Sequence, residues 1–211
     1  MKSFLNIIQT GILTILLLAA LSNYEASAQN HIQLTYDYSI ATGETADYIA
    51  TSFRGGSFEF GHHLTDRIAI GLKVGLHTFY DELDKDTYSD DNVTVYGKQF
   101  RYMNSFPALA TFQYNFMGEE SRVLPYGKLG VGAYYFQRRT DLGLYTFTNN
   151  YNWSFGLQPE AGVLIPITRN IRVNIGARYN YVFKNQELDN QGYVNINLGL
   201  MFYNLGREQM Q

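Results

Sequence analysis

From His31 onward, apolar and polar residues alternate with a period of two. Ile32, Leu34, Tyr36, Tyr38 and Ile40 interleave with Gln33, Thr35, Asp37 and Ser39, which predicts a two-faced β-strand. The pattern recurs with Phe58, Phe60 and Leu64 against Ser57, Glu59, Gly61 and His63. A third run sets Ile68, Ile70, Leu72, Val74, Leu76 and Tyr80 against Ala69, Gly71, Lys73, Gly75 and His77. The fourth is the longest, with Phe100, Tyr102, Phe106, Ala108, Ala110, Phe112, Tyr114 and Phe116 against Arg101, Met103, Ser105, Thr111, Gln113 and Asn115.

The second half behaves alike. Leu129, Val131, Ala133 and Tyr135 oppose Tyr126, Lys128, Gly130, Gly132 and Tyr134; Trp153, Phe155, Leu157, Ala161, Val163 and Ile165 oppose Ser154, Gly156, Gln158, Glu160 and Gly162. Ile171, Val173, Ile175, Ala177, Tyr179, Tyr181 and Phe183 oppose Arg172, Asn174, Gly176, Arg178 and Asn180. Val194, Ile196, Leu198, Leu200 and Phe202 oppose Asn195, Asn197, Gly199 and Met201. No comparable 3.6-residue period follows His31, so the expectation is an all-β chain of eight strands.

The links between the strands alternate in length. Thr65-Asp66-Arg67, Met117 to Val123 and Pro166 to Asn170 are short, whereas Ala41 to Phe53, Asp81 to Lys98, Arg138 to Asn152 and Lys184 to Gly192 are long and polar. This predicts an antiparallel up-and-down meander with every long link at one end, the arrangement of outer-membrane barrels. An even strand number then puts both termini at the other, periplasmic end.

The two faces are segregated by charge. The apolar positions hold no Asp, Glu, Lys or Arg, while the other face carries three acids (Asp37, Glu59, Glu160) and five bases (Lys73, Arg101, Lys128, Arg172, Arg178). A soluble sandwich or lipocalin-like barrel would bury the apolar face, whereas a membrane barrel would turn it to lipid. Three features favour the membrane. The runs span about 9–17 residues, against the 9–11 that a tilted membrane strand needs and the 5–6 of ordinary strands. Glycine crowds the polar face, as suits a narrow interior. Aromatics gather near the strand ends: Tyr80, Phe100, Tyr102, Trp153, Tyr179, Tyr181 and Phe183 at one, Phe112, Tyr114, Phe116 and Phe202 at the other, like two interfacial girdles.

Composition narrows the classes further. The 211 residues include 18 Tyr and 14 Phe, which argues against a disordered chain, and a formal net charge of −3 leaves no basic excess for nucleic acid. The absence of Cys removes disulfide scaffolds, thiolate zinc sites, cysteine nucleophiles and a lipid-modified N-terminal cysteine. Met1 to Asn30 reads as a secretory signal: Lys2 is the positive region, Phe4 to Leu21 the apolar stretch, and Ala26-Ser27-Ala28 a small-residue cleavage site. The expected organisation is a signal peptide over 1–28 and one barrel domain over 29–211.

Leu64-Thr65-Asp66-Arg67-Ile68-Ala69-Ile70-Gly71-Leu72, Leu124-Pro125-Tyr126-Gly127-Lys128-Leu129-Gly130-Val131-Gly132 and Gln158-Pro159-Glu160-Ala161-Gly162-Val163 resemble the small outer-membrane β-barrel domain proteins. These include the OmpX- and OmpA-like, porin-family-like barrels, particularly the versions common in Bacteroidota. The resemblance spans essentially the whole chain after the signal, through loose patterns rather than a catalytic signature. Asn197-Leu198-Gly199-Leu200-Met201-Phe202 looks like the C-terminal signal read by the barrel assembly machinery, although Asn204 stands where a second aromatic is expected.

An eight-stranded barrel is only wide enough for side chains to fill it, so the inward charges are expected to pair in a network rather than line a channel. Asp81, Glu82, Asp84, Asp86, Asp90 and Asp91 crowd one link, but without the glycine and bidentate Glu of a calcium loop they read as a solvated segment. Of the four histidines, His63 is near Thr65 and His77 adjoins Thr78, and neither pair shows an acid partner in the sequence; His31 and His62 complete the set. No catalytic, cofactor or metal residue is assigned.

The expectation is therefore a monomeric, eight-stranded, antiparallel up-and-down transmembrane β-barrel of the bacterial outer membrane with a filled interior. By resemblance its role is structural or adhesive, with four external loops as the binding surface. The implied partners are outer-membrane lipid and lipopolysaccharide, the assembly machinery, and an envelope complex or external ligand. A lipid A-modifying enzyme of acyltransferase or deacylase type, and a soluble exported ligand-binding barrel, are the alternatives.

Overall fold

A computed structural model describes residues 30–90, 93–118, 121–142, 145–151, 153–186 and 188–203, without the side chains of 88–90, 93–95 and 142. The signal segment, Gln29, Asp91, the Asp90 side chain and Asn204 lie outside the described residues. The elements are β1 (Asn30–Thr42), a 3-10 turn η1 (Gly43–Thr45), β2 (Thr51–Ser52), β3 (Arg54–His63), β4 (Ile68–Asp90) and β5 (Val93–Asn115). β6 (Leu124–Leu142), β7 (Tyr145–Asn150), β8 (Ser154–Pro166), β9 (Ile171–Val182) and β10 (Gln191–Tyr203) complete them.

Eight of these build the wall in chain order, each antiparallel to the next, and β10 pairs with β1 from His31↔Tyr203 to Thr42↔Gly192. The wall is therefore a closed eight-stranded barrel, and within it no strand is left at an edge. The two short strands are continuations. On β1 the register slips by one residue between Tyr36↔Gly56 and Ser39↔Ser52, so β2 extends β3 past Phe53. On β6 it slips likewise between Tyr134↔Ser154 and Gln137↔Asn150, so β7 extends β8. Such bulge-type slips bend a strand without ending it.

Side-chain alternation is inverted relative to a soluble core. Leu72 points outward and is 67% exposed, while its neighbour Lys73 points inward and is 3% exposed. Leu34, Phe58, Phe60, Val74, Phe112, Leu129, Ile175 and Leu198 share the outer surface; Asp37, Glu59, Lys128, Glu160 and Arg178 share the interior. Outer aromatics meet across the wall near the long-link end: Tyr80 and Tyr102 are paired residues with rings 5.1 Å apart, and Phe155 lies 5.8 Å from Phe183.

Two of the short links are the same device. In Leu64–Ile68 and Ile167–Ile171 the first two amides both donate to the carbonyl of the closing Ile, and the Thr hydroxyl accepts the amide two residues on at 3.3 Å. A Thr in second place thus satisfies the tip of each hairpin locally.

The long links differ from the polar loops expected. β4 and β5 run 23 residues each, so most of Asp81 to Lys98 is a paired ladder that projects beyond the girdle, interrupted by a register shift between Leu83 and Asp86. Arg138 to Asn152 is likewise mostly ladder, from β6 and β7. Charge obscured β-prone runs such as Val93-Thr94-Val95-Tyr96 and Tyr145-Thr146-Phe147-Thr148; the second is largely exposed along its length and pairs without a buried face. The first link turns into the mouth instead: Thr45 and Ile49 are buried, and the Thr45 hydroxyl donates to Gln191 Oε1 at 2.9 Å while accepting the Gly192 amide at 3.0 Å. Gly43, with φ of 57°, makes that reversal possible.

The interior is layered. Near the termini, Leu124, Tyr126, Leu164, Met201 and Tyr203 form one apolar cluster. Toward the long links Ile49, Phe79, Met103, Leu109, Tyr134, Phe136, Val182, Leu188 and Tyr193 pack into another. The ionic residues lie between. Glycine makes the close packing possible: a Cβ on Gly156 would stand 2.6 Å from the Tyr134 ring, and one on Gly162 2.8 Å from the Tyr126 hydroxyl.

Candidate functional site

Six of the eight inward charges are joined in one chain of alternating sign. Lys128 Nζ donates to both Glu59 oxygens at 2.9 Å, and Lys73 Nζ lies 3.3 Å from Glu59 and donates to Glu160 at 2.7 Å. Arg178 Nε faces Glu160 at 3.5 Å, and its Nη2 donates to Asp37 at 3.0 Å. Strand register places these groups: Glu59 is opposite Lys73, and Glu160 is opposite both Lys128 and Arg178. Three carboxylates offset three cations, and neutral donors complete the shell. Tyr126 donates to Glu160 at 2.6 Å, and Ser57 to Asp37 at 2.9 Å. A buried charge without such partners would cost several kcal/mol, of order 3–5 when one member of a pair is removed.

The other two bases sit at opposite ends, outside this chain. Arg172 donates to the Tyr203 hydroxyl at 2.9 Å and packs its guanidinium 4.1 Å from that ring. Arg101 is at the long-link mouth, where its guanidinium lies 5.1 Å from the Tyr48 ring centre. The expected network of all eight charges is thus a network of six. Both remaining arginines lie outside this six-membered chain, and each packs its guanidinium against an aromatic ring.

The histidines are arranged differently from their neighbours in sequence. His77 has an acid partner that no local motif reveals: its Nε2 donates to Asp37 at 3.0 Å across the lumen. Its Nδ1 faces the Tyr193 hydroxyl at 3.1 Å, which in turn lies 2.9 Å from Ser105 Oγ. All four residues are fully buried, so the chain Asp37–His77–Tyr193–Ser105 has an acid–base–hydroxyl order but no face open to a substrate. Near the termini His31 and His63 lie Nδ1 to Nδ1 at 3.3 Å, with His31 Nε2 4.0 Å from Glu59. Thr65 is not part of that group, since its hydroxyl accepts turn amides. Thr78 and His62 are not brought to it either; His62 bonds Asn30 at 2.8 Å.

The acidic residues are spread along the projecting ladder rather than gathered. Asp81 Oδ1 accepts the Glu82 amide at 2.9 Å and Asp86 Oδ1 the Thr87 amide at 2.7 Å. Lys98 hydrogen-bonds and ion-pairs with Glu82, which holds that carboxyl below its ordinary range. Arg139 does the same to Asp141 through a forked contact, Nε donating to Oδ1 at 3.0 Å and Nη2 to Oδ2 at 2.5 Å. Among the described residues no three His, Asp or Glu side chains converge with metal-binding geometry.

No curated protein matches the chain. Among solved structures, Neisserial surface protein A is similar at 18% identity and a TM-score of 0.53, covering 83% of this chain and 96% of that one. A major outer membrane protein from Thermus thermophilus is similar at 13% identity and a TM-score of 0.53, covering 84% and 99%. These identities speak for the fold, a small barrel of the same architecture. The family model described as "Outer membrane protein beta-barrel domain" matches residues 11–202, and with the closed, inverted barrel it establishes that the chain belongs to the outer membrane β-barrel domain family.

Proposed function

We propose that this outer-membrane barrel is a non-catalytic structural and ligand-presenting protein whose long-link end faces the exterior. Its interior carries no large open pore. One observation supports this reading above the others: the alternating-charge chain lies between two apolar clusters, one of which takes in Ile49 and Leu188 from long links. Ion permeation through such a lumen would require several buried ion pairs and packed rings to give way together.

The same packing argues against catalysis, because the Asp37–His77–Tyr193–Ser105 chain is sealed. Lipid and lipopolysaccharide are the proposed partners of the outer apolar face and its aromatic bands, and the barrel assembly machinery that of β10. The barrel itself is proposed to be monomeric, with the projecting β4–β5 and β6–β7 ladders as the surface offered to an external ligand or envelope complex.

The test combines a heat-dependent gel shift with planar-bilayer recording on the purified, detergent-extracted protein. A folded band that migrates differently from the boiled one, with no resolvable conductance steps, is expected. Stable open-channel conductance in protein that passes the gel test would overturn the closed interior. A chain that remains soluble without detergent would overturn the membrane reading altogether.

A further inference from the structure

Inside the barrel each base of the ionic chain has a carboxylate; at the long-link mouth two arginines that share one ring have none in an ion pair. Arg101 on β5 and Arg138 on β6 form no ion pair among the described residues and find only neutral acceptors. Arg101 donates to the Tyr48 carbonyl and to Gln99 Oε1, both at 3.3 Å, and Arg138 donates to Gln191 Oε1 at 2.7 Å. Both guanidiniums are stacked on one ring, 5.1 and 4.7 Å from the centre of Tyr48, and Arg138 also lies 5.6 Å from Tyr151. The Tyr48 hydroxyl is 3.0 Å from Thr140 Oγ1, which fixes the ring between link and wall. In each arginine Nε is buried with no acceptor.

These groups border a cavity of about 230 Å³ whose lining includes Tyr48, Gln99, Arg101, Arg138, Thr140 and Tyr151. The nearest acid in register is Asp81, opposite Arg101, and its Oδ1 is engaged by the Glu82 amide. Asp141 is tied to Arg139, while Glu44 and Asp47 of the first link are exposed. Two permanent cations therefore share a partly desolvated cavity, each with an N–H that lacks an acceptor. An oxyanion in the cavity supplies the missing counter-charge, and the guanidinium fork matches such a group.

We propose that this mouth binds a tetrahedral oxyanion of phosphate or sulfate type, either free or carried on a single sugar ring. The cavity lies below the range of drug-sized sites, roughly 300–1,000 Å³, which fits one small anionic group rather than a chain. The assignment rests on the proposed function only in taking this mouth as the end open to the exterior.

Titration calorimetry of the purified barrel in uncharged detergent tests it, with inorganic phosphate, glucose 6-phosphate and glucose as probes. Saturable binding of phosphate, of glucose 6-phosphate or of both is expected, and none of glucose; the tighter of the two distinguishes the free ion from one on a sugar. Arg101→Gln and Arg138→Gln should each weaken it about tenfold or more, while Arg139→Gln, which removes an outward cation, should leave it unchanged. No saturable binding in protein that passes the heat-shift gel test overturns the site and leaves the barrel reading intact. Equal weakening in Arg139→Gln overturns it in favour of diffuse charge. Failure of the gel test would instead count against the function proposed above.

Discussion

Arg178 on β9 reaches past β10 to Asp37 on β1, with Nη2 3.0 Å from Oδ1 and both side chains fully buried. The pair spans the strand that closes the wall, so it ties the first and penultimate wall strands together from inside. Arg178→Leu should lower unfolding free energy by about 3–5 kcal/mol, because Asp37 is then buried without its main counter-charge. Asp37→Asn combined with Arg178→Leu should recover part of that loss relative to the two single variants. Urea unfolding in lipid vesicles, followed by tryptophan fluorescence, measures both; additive losses in the double variant would contradict the pairing.

Neighbouring residues Leu72 and Lys73 should respond oppositely to charge. Leu72→Arg places a cation on the lipid face and should cost about 2–4 kcal/mol if the site is near the bilayer midplane. In a soluble barrel the same substitution of a residue 67% exposed would be nearly neutral. Folding yield into vesicles separates the two outcomes.

Tyr126 sits over Gly162 and Gly176, its hydroxyl donating to Glu160 at 2.6 Å. Gly162→Ala and Gly176→Ala should each destabilise by about 1–3 kcal/mol through overpacking, since a methyl at either position meets the hydroxyl and backbone at 3.0 Å or less. Tyr126→Phe in the Gly176→Ala background should relieve part of the cost. Unfolding midpoints in urea provide the comparison.

Ile49 anchors the first long link among Phe79, Phe136, Leu188 and their neighbours. Ile49→Ala should release that link without opening the barrel wall, whose ladders do not depend on it. Limited proteolysis should show faster cleavage within residues 43–53, with the heat-dependent gel shift retained; unchanged cleavage would mean the link is held by Thr45 alone.

Acid should loosen the projecting ladders before the barrel. Lys98 holds the Glu82 carboxyl, and Arg139 the Asp141 carboxyl, below their ordinary values. Carboxyls depressed in the folded state add their stability at neutral pH and lose it as the pH falls through the folded value. Because both pairs are solvent-screened, the effect should be modest and local. Amide exchange, corrected for intrinsic rate, should rise at residues 81–86 and 96–99 between pH 7 and pH 3, with β9–β10 amides unchanged.

The outline of this fold is legible because a single inside–outside reversal repeats along each strand. Leu72-Lys73 or Leu34-Thr35-Tyr36-Asp37 assigns two faces without reference to any other strand. The interior contacts are another matter, since they depend on register and on the tilt that brings separated strands together. That His77 meets Asp37, and Arg178 meets Asp37 past β10, follows from no local spacing. The upper apolar cluster did leave a local trace: at Phe79-Tyr80, Ala108-Leu109-Ala110, Tyr134-Tyr135-Phe136 and Tyr181-Val182-Phe183 both faces turn apolar together. Period-two reading places Tyr134 on the inner face but passes over Phe79, Leu109, Phe136 and Val182. The ladders beyond the girdle were obscured by charge, which marks solvent rather than absence of pairing.

The seam between β1 and β10 has a kinetic meaning. Its pairs join residues such as His31 and Tyr203, nearly the full length of the described chain apart. Closing so long a loop is entropically unfavourable until the pairs on either side are in place, so this seam should form last and set the folding rate. Until it does, the sheet presents two unpaired edges, each a template for another chain. During synthesis β10 is also the last strand to emerge, leaving the earlier strands to wait with open edges. The chain thus has to be kept from pairing with its neighbours over just the interval in which its own final strand is missing.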